Sequence, residues 1–347
     1  MCNSIMFIVI TLLFLAISTG VHAGDMTLFA GVCDGRNGDN LPSRDQTVAL
    51  YQKMNIGWIR LYEPFPDLLE SLEGTNLLVA IGPKNEQIKT LAEHYEFAVS
   101  WIKTYIVPYN VAFNWITVGN EVLQGEIGRY VPQAMKNMKA ALTQIGISRT
   151  IHVTTVLATT ALANSYPPSA GIFKPEITEL VTEIASVLSS TDSQLMVNVY
   201  PYFAYASDPS HISLEYATFG STSPVVTDGN YQYTNMFDAM VDSFNAALEK
   251  LSYGGVKVYV AETGWPTRGN PPYTSVENAR AYNQGLLKKL TTGTMGTPRR
   301  PNVPVVTFFF EMFNEDLKQG EVEKSFGFFT PDMTPVYDMW NVISVSS

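Results

Sequence analysis

Apolar residues fall into eight short runs, each bounded by polar or turn-forming residues. They are TLFAGVC (27–33), IGWIRLYE (56–63), NLLVAIGP (76–83), FNWITVGNE (113–121), TIHVTTVLA (150–158), QLMVNVYPY (194–202), VKVYVAE (256–262) and VPVVTFFFEMF (303–313). Most are rich in β-branched or aromatic residues and alternate little, the pattern of parallel strands covered on both faces. Between them the spacing turns helical. Ser43 and Gln46 are placed as a capping box ahead of TVALYQKM, and Thr274 with Glu277 as another further on. EQIKTLAEHYEFAVSWIKTYIV, PQAMKNMKAALTQIG and PEITELVTEIASVL read as helices. Phe237, Met240, Val241, Phe244, Leu248 and Leu251 recur on one helical face. PDLLESLE predicts a helix of only a turn or two. Strands and helices alternating in this way predict a single α/β domain, a (β/α)8 barrel over residues 24–347. The long polar stretch between the sixth and seventh runs predicts a small subdomain around residues 203–232, at the barrel mouth.

Two of the runs end in a carboxylate, at Glu121 and at Glu262. A carboxylate at the end of a buried strand is costly unless the site uses it. In a barrel both would lie at the C-terminal face, where such folds keep their chemistry. Paired carboxylates of this kind suit hydrolysis of a glycosidic bond.

Composition narrows the partners. The chain has 347 residues, is 46% hydrophobic and carries a net charge of −10. That is enough apolar material for one large core, and the charge argues against nucleic acid and anionic membranes. A neutral polysaccharide is compatible. Residues 1–23, with the apolar run MFIVITLLFLAI and Val21-His22-Ala23, read as a secretory signal, although no Lys or Arg precedes the run. The other reading is an N-terminal membrane anchor, for which the run is short. Export predicts a secreted, extracellular or cell-wall protein, with the vacuole as a second destination and no membrane association after cleavage. Of the two cysteines, Cys2 lies in the signal, which leaves Cys33 as a buried small hydrophobe and no internal disulfide. No N-x-S/T sequon occurs. His94, His152 and His211 show no ligand spacing, so no metal site and no cofactor is expected. A monomer is the default.

VGNEV (118–122) and AETGWP (261–266) resemble the two active-site motifs of the plant β-1,3-glucanases, glycoside hydrolase family 17. The likeness extends through GVC and NLPS near the start, IRLYEP (59–64), SYPPSAGIF (165–173), NVYPYFAY (198–205), ENARAYNQ (277–284), FNED (313–316) and KSFGFF (324–329). Their order and spacing cover nearly the whole chain after the signal. The resemblance implies a retaining endo-hydrolase of 1,3-β-glucan, with Glu121 as acid/base and Glu262 as nucleophile. It also implies substrate-binding roles for Tyr62, Asn120, Tyr200, Phe203, Trp265, Phe313, Glu315, Lys318 and Glu323. The aromatics would offer flat faces to glucose rings, or else pack in the core. Glu315, Lys318 and Glu323 match a charged cluster near the family's active site, or else form a solvated ion-pair patch. Between Lys318 and Glu323 the chain is one residue shorter than the common pattern.

One departure stands out. Where the family usually reads GVCYG, this chain reads GVCDG, with Asp34 in place of a tyrosine expected to line the sugar cleft. Asp34 is either a third carboxylate near the catalytic pair, shifting subsite preference or pH optimum, or a loop residue facing solvent. Two alternatives to the 1,3-glucanase remain: a mixed-linkage 1,3;1,4-β-glucan endohydrolase, and a non-catalytic glucan-binding wall protein.

Overall fold

A computed structural model describes residues 29–147, 151–292 and 295–340. The proposed signal, residues 1–23, lies outside the described residues. Eight parallel strands close into a barrel: β1 (Ala30–Asp34), β2 (Trp58–Leu61), β3 (Leu78–Ile81), β4 (Ala112–Asn120), β5 (His152–Ala158), β6 (Leu195–Asn198), β7 (Val258–Thr263) and β8 (Thr307–Phe309). Each pairs with its sequence neighbours, and β8 closes on β1 through Ala30 opposite Thr307. All eight apolar runs therefore become barrel strands.

Helices form the outer layer: α1 (Arg44–Lys53), α2 (Pro66–Leu72), α3 (Ile88–Glu93), α4 (Tyr95–Tyr105), α5 (Val131–Ile145) and α6 (Pro175–Ser190). At the mouth α7 (Pro201–Ser207) and α8 (Leu214–Ala217) follow β6, and α9 (Met236–Lys250) and α10 (Val276–Thr292) return to the outer ring. The capping box at α1 forms, with Ser43 Oγ accepting from Gln46 N and Gln46 Oε1 accepting from Ser43 N. The expected box at Thr274 does not. Thr274 Oγ1 accepts from Asn270 N in the preceding loop, and Ser275 Oγ accepts from Asn278 N. The helical stretch after β3 is broken into α3 and α4 at His94, whose extended backbone (φ −129°, ψ 96°) closes one helix and opens the next.

The barrel floor is aromatic. Trp58 and Trp115 stack with centroids 4.8 Å apart, and Phe308 meets both edge-on at 6.4 and 6.2 Å. Gly31 makes room for this plug: a Cβ there would lie 2.6 Å from the Phe308 ring. Toward the mouth the barrel lining turns polar, with Arg60, Asn198, Glu262 and Glu311 all buried. Residues 201–233 build over β6 with α7, α8 and an antiparallel hairpin pairing Val226–Asp228 with Tyr231–Tyr233. Tyr216, Val226 and Tyr233 form a small apolar cluster of their own there. Among the described residues no helix is long and apolar enough to cross a membrane.

Candidate active site

Glu121 and Glu262 both follow irregularities in their strands. The β4–β5 register shifts between Thr117 and Asn120, and β7 shifts against β6 between Val260 and Glu262. Bulges at strand ends re-aim side chains. At β4 the turn is sharp: Gly119 has φ 90° and Glu121 itself φ 58°. A glutamate in the left-handed region stores about 1–3 kcal/mol, so the surrounding fold must hold it there. Its backbone N–H donates to Val156 O at 2.9 Å.

The two carboxyls open onto one cavity of about 610 Å3 at the C-terminal end of the barrel. Glu262 is 7% exposed and tightly bound. Its Oε1 accepts from Arg60 Nη1 at 2.5 Å and from Tyr62 Oη at 2.8 Å, and its Oε2 accepts from Tyr200 Oη at 2.8 Å. Arg60 is itself buried and paired on several sides. It donates to Ala261 O and Tyr62 Oη through Nη1, and to Asn120 Oδ1 through Nη2 at 2.8 Å. Burial opposes its charge, but Tyr62 and Glu262 more than offset that and raise its pKa above the usual arginine value.

Glu121 lies open to the cleft and accepts one side-chain hydrogen bond, from Asn198 Nδ2 at 2.8 Å. Desolvation by the cleft walls and the nearby Glu262 charge push its carboxyl above the ordinary glutamate value, while Asn198 and Arg60 oppose the shift. Asn120 links the two sides. Its Oδ1 accepts from Arg60 and from Asn198 (3.3 Å), and its backbone is held by Asn85 through Asn120 N to Asn85 Oδ1 and Asn85 Nδ2 to Asn120 O. With its oxygen committed, the amide nitrogen of Asn120 is the group left to meet a ligand hydroxyl.

Tyr62, Asn120 and Tyr200 are thus brought to the pair. Phe203, 45% exposed, lines the cavity beside Tyr200 at 5.4 Å between centroids, and Glu323 lies on the same wall. Trp265 and Phe313 are corrections. Trp265 has no exposed surface; its Nε1 donates to Tyr273 O at 3.0 Å and its ring packs on Tyr202 at 5.4 Å. Phe313 is 2% exposed and packs on Phe329. Both rings are spent on the core and present no face to a sugar.

Glu315 and Lys318 form a buried pair rather than a solvated patch: Glu315 is 2% exposed and its Oε2 lies 3.3 Å from Lys318 Nζ. Asp34 belongs with them and does not face solvent. It is 1% exposed, with Oδ2 3.6 Å from Arg36 Nη1. Burial and the Glu315 charge push its carboxyl up, and the Arg44 charge opposes them. Arg60, Asn198, Phe310 and Phe326 were not singled out by sequence, yet the first two bind the carboxyls and the last two line the cavity. An arginine inside GWIRLY and an asparagine inside LMVNVY are the signals that mark them: polar residues in otherwise apolar strands. Among the described residues no group of three or more His, Cys, Asp or Glu is placed to hold a metal ion.

Eight parallel strands with two carboxylates converging at the ends of β4 and β7 define a glycoside hydrolase barrel. The chain belongs to Glycosyl hydrolases family 17, whose sequence profile it matches over residues 30–340. A Hordeum vulgare relative is 45% identical over 88% of this chain and 95% of its own. A Vitis vinifera glucan endo-1,3-beta-glucosidase is 39% identical over 96% of this chain and 97% of its own. Among solved structures, a β-1,3-glucanase and allergen of Cryptomeria japonica pollen superposes with a TM-score of 0.86 at 38% identity, covering 90% of this chain and 98% of that one. One of two plant β-glucan endohydrolases with distinct substrate specificities gives 0.85 at 38% identity, covering 89% and 99%.

Proposed function

We propose that this glycoside hydrolase is a retaining endo-hydrolase of 1,3-β-D-glucosidic linkages in β-glucan. Glu262 attacks the anomeric carbon while Glu121 gives its proton to the departing glucan oxygen, so the glycosidic C–O bond breaks as the glycosyl–Glu262 ester forms. Glu121, now a carboxylate, takes a proton from water; the resulting hydroxide attacks the same carbon and frees Glu262. The observation that carries this division is the contrast in hydrogen bonding. Three donors, one of them cationic, fix Glu262, whereas Glu121 meets one donor and has its pKa raised. A nucleophile is best ionised and immobile, and a general acid best protonated near working pH.

Substrate contacts follow from the same cavity. The Asn120 amide, between Arg60 and Asn198 beside the cavity, is offered to a sugar hydroxyl, and the rings of Tyr200, Phe203 and Phe326 give apolar surface for sugar faces. Export through cleavage near Ala23 is part of the proposal, and N-terminal sequencing of secreted protein checks it. The activity is tested by reducing-end release from laminarin beside mixed-linkage 1,3;1,4-glucan, with Glu262→Ala as control. Release from laminarin that disappears in the variant is the expected result. Binding without release by the wild type would contradict the reading, and preferential attack on mixed-linkage glucan would correct the linkage.

A further inference from the structure

Glu311 lies just past β8 and has no exposed surface. Its Oε1 accepts from Lys318 Nζ at 2.5 Å, while its Oε2 is buried without a hydrogen-bond partner among the described residues. Lys318 turns its ammonium to Glu311 and Glu315 and lies 4.2 Å from the centroid of Phe310, which lines the catalytic cavity. A Cβ added to Gly35 would lie 2.8 Å from Glu311 Oε2 and 2.8 Å from Glu315 Oε2, so both carboxyls face one spot. The mechanism above uses neither of them.

The charges do not balance if both are ionised. The charged and titratable groups around the Glu311–Glu315 pair are Lys318 and Asp316 from the same loop, Asp34 at the end of β1 with Arg36 against it, Tyr51 from α1, Tyr200 after β6 and Glu262 from β7. Arg36 is engaged with Asp34, Thr47 and Pro42 O. Lys318 is thus the one cation in contact with the Glu311–Glu315 pair among the described residues. Two buried carboxyls served by one ammonium retain a proton between them, because ionising both would bury an uncompensated charge.

We propose that Glu311 is a positioning residue of the hydrolytic site: it pins Lys318 against the Phe310 wall, and the Glu311–Glu315 pair carries one proton. The inference rests on the glucanase reading. Pinned in this way, the ammonium keeps a fixed distance from the cleft carboxyl of Glu323, on which its charge acts. The retained proton keeps a further negative charge away from Glu262. Burial is the largest influence on Glu311 and drives its carboxyl well above the usual range, with Lys318 opposing and Glu315 and Glu262 reinforcing.

The test compares wild type with Glu311→Gln, Lys318→Met and the double variant. Glu311→Gln is expected to lower kcat/KM on laminarin about tenfold, which corresponds to about 1.4 kcal/mol of lost transition-state stabilisation. The double variant should be no worse than Lys318→Met alone, since both remove one unit. Thermal denaturation supplies a second readout. A carboxyl whose folded pKa is raised contributes stability that is full below the ordinary carboxylate pKa and is lost as pH rises through the folded value. The wild-type Tm should therefore fall relative to that of Glu311→Gln as pH rises above the ordinary glutamate range. Activity within twofold of wild type, losses that multiply in the double variant, or a Tm difference that stays flat with pH would overturn the assignment. Should Glu311→Gln not fold, Lys318→Met decides: a tenfold loss supports positioning, and activity within twofold overturns it. An inactive wild type would overturn the glucanase reading instead, and the pH dependence of Tm still judges Glu311.

Discussion

Glu262 and Glu121 share a cavity but are held in opposite ways. Glu262 is buried, and side chains from three places in the chain converge on it: Arg60 in β2, Tyr62 just after it, and Tyr200 at the start of α7. Glu121 sits in the open cleft on a left-handed backbone, its carboxyl meeting one side-chain donor, Asn198, among the described residues. The chemistry of each carboxyl is therefore written in its neighbours. A carboxylate surrounded by donors is fixed in position, which suits the nucleophile proposed for it. A carboxyl partly desolvated by the cleft, beside a negative neighbour and with one donor, has its pKa pushed up, which suits the general acid proposed for it.

Removing either carboxyl should separate the two roles most strongly. Glu262→Gln should lower kcat roughly 10^4-fold or more whatever the leaving group, because nothing replaces the nucleophile. Glu121→Gln should cost about 10^2–10^4-fold on glucan, the range for a lost general acid. It should cost far less on an aryl β-glucoside whose leaving group needs no proton. Steady-state rates on both substrates check the pair, and equal losses on both for Glu121→Gln would erase the contrast.

Disturbing the donors comes next. Arg60→Met leaves Glu262 buried without its cation and should destabilise the fold by about 3–5 kcal/mol, read by denaturant unfolding. Asn198→Ala removes the hydrogen bond that favours the charged form of Glu121. The acid should then hold its proton to higher pH, moving the alkaline limb of kcat/KM upward; a downward move would contradict the assigned contact. The smallest effect belongs to the cleft wall. Phe203→Ala removes a half-exposed ring and should raise KM about two- to tenfold, as expected for loss of about 0.5–1.5 kcal/mol of ring contact, with Tm unchanged.

The barrel and its two carboxyls were legible in the sequence for a physical reason. Each strand is an apolar run closed by turn residues, and an acid ending such a run is conspicuous. The aromatics were harder to place. Trp265 and Phe203 flank motifs of similar appearance, yet Trp265 fills the space between Tyr202 and Tyr282 while Phe203 stands in the cleft. Only packing between distant segments separates them. The Asp34 environment was hidden for the same reason. Arg36 lies two residues away, but Glu311, Glu315 and Lys318 arrive from the other end of the barrel, where β8 closes on β1. Closure brings the two ends of the sequence together, and no local pattern records it. Arg60 and Asn198 were visible as polar residues within apolar strands, a sign of buried partners that motif matching passes over.

The division of labour is tested most directly by trapping the enzyme with a 2-deoxy-2-fluoro β-glucosyl or laminaribiosyl donor bearing a good leaving group, followed by peptide mass spectrometry. One glycosyl adduct on Glu262, present in Glu121→Gln and absent in Glu262→Gln, is the predicted result. An adduct on Glu121 or Glu323, or turnover with inversion and no adduct, would contradict it.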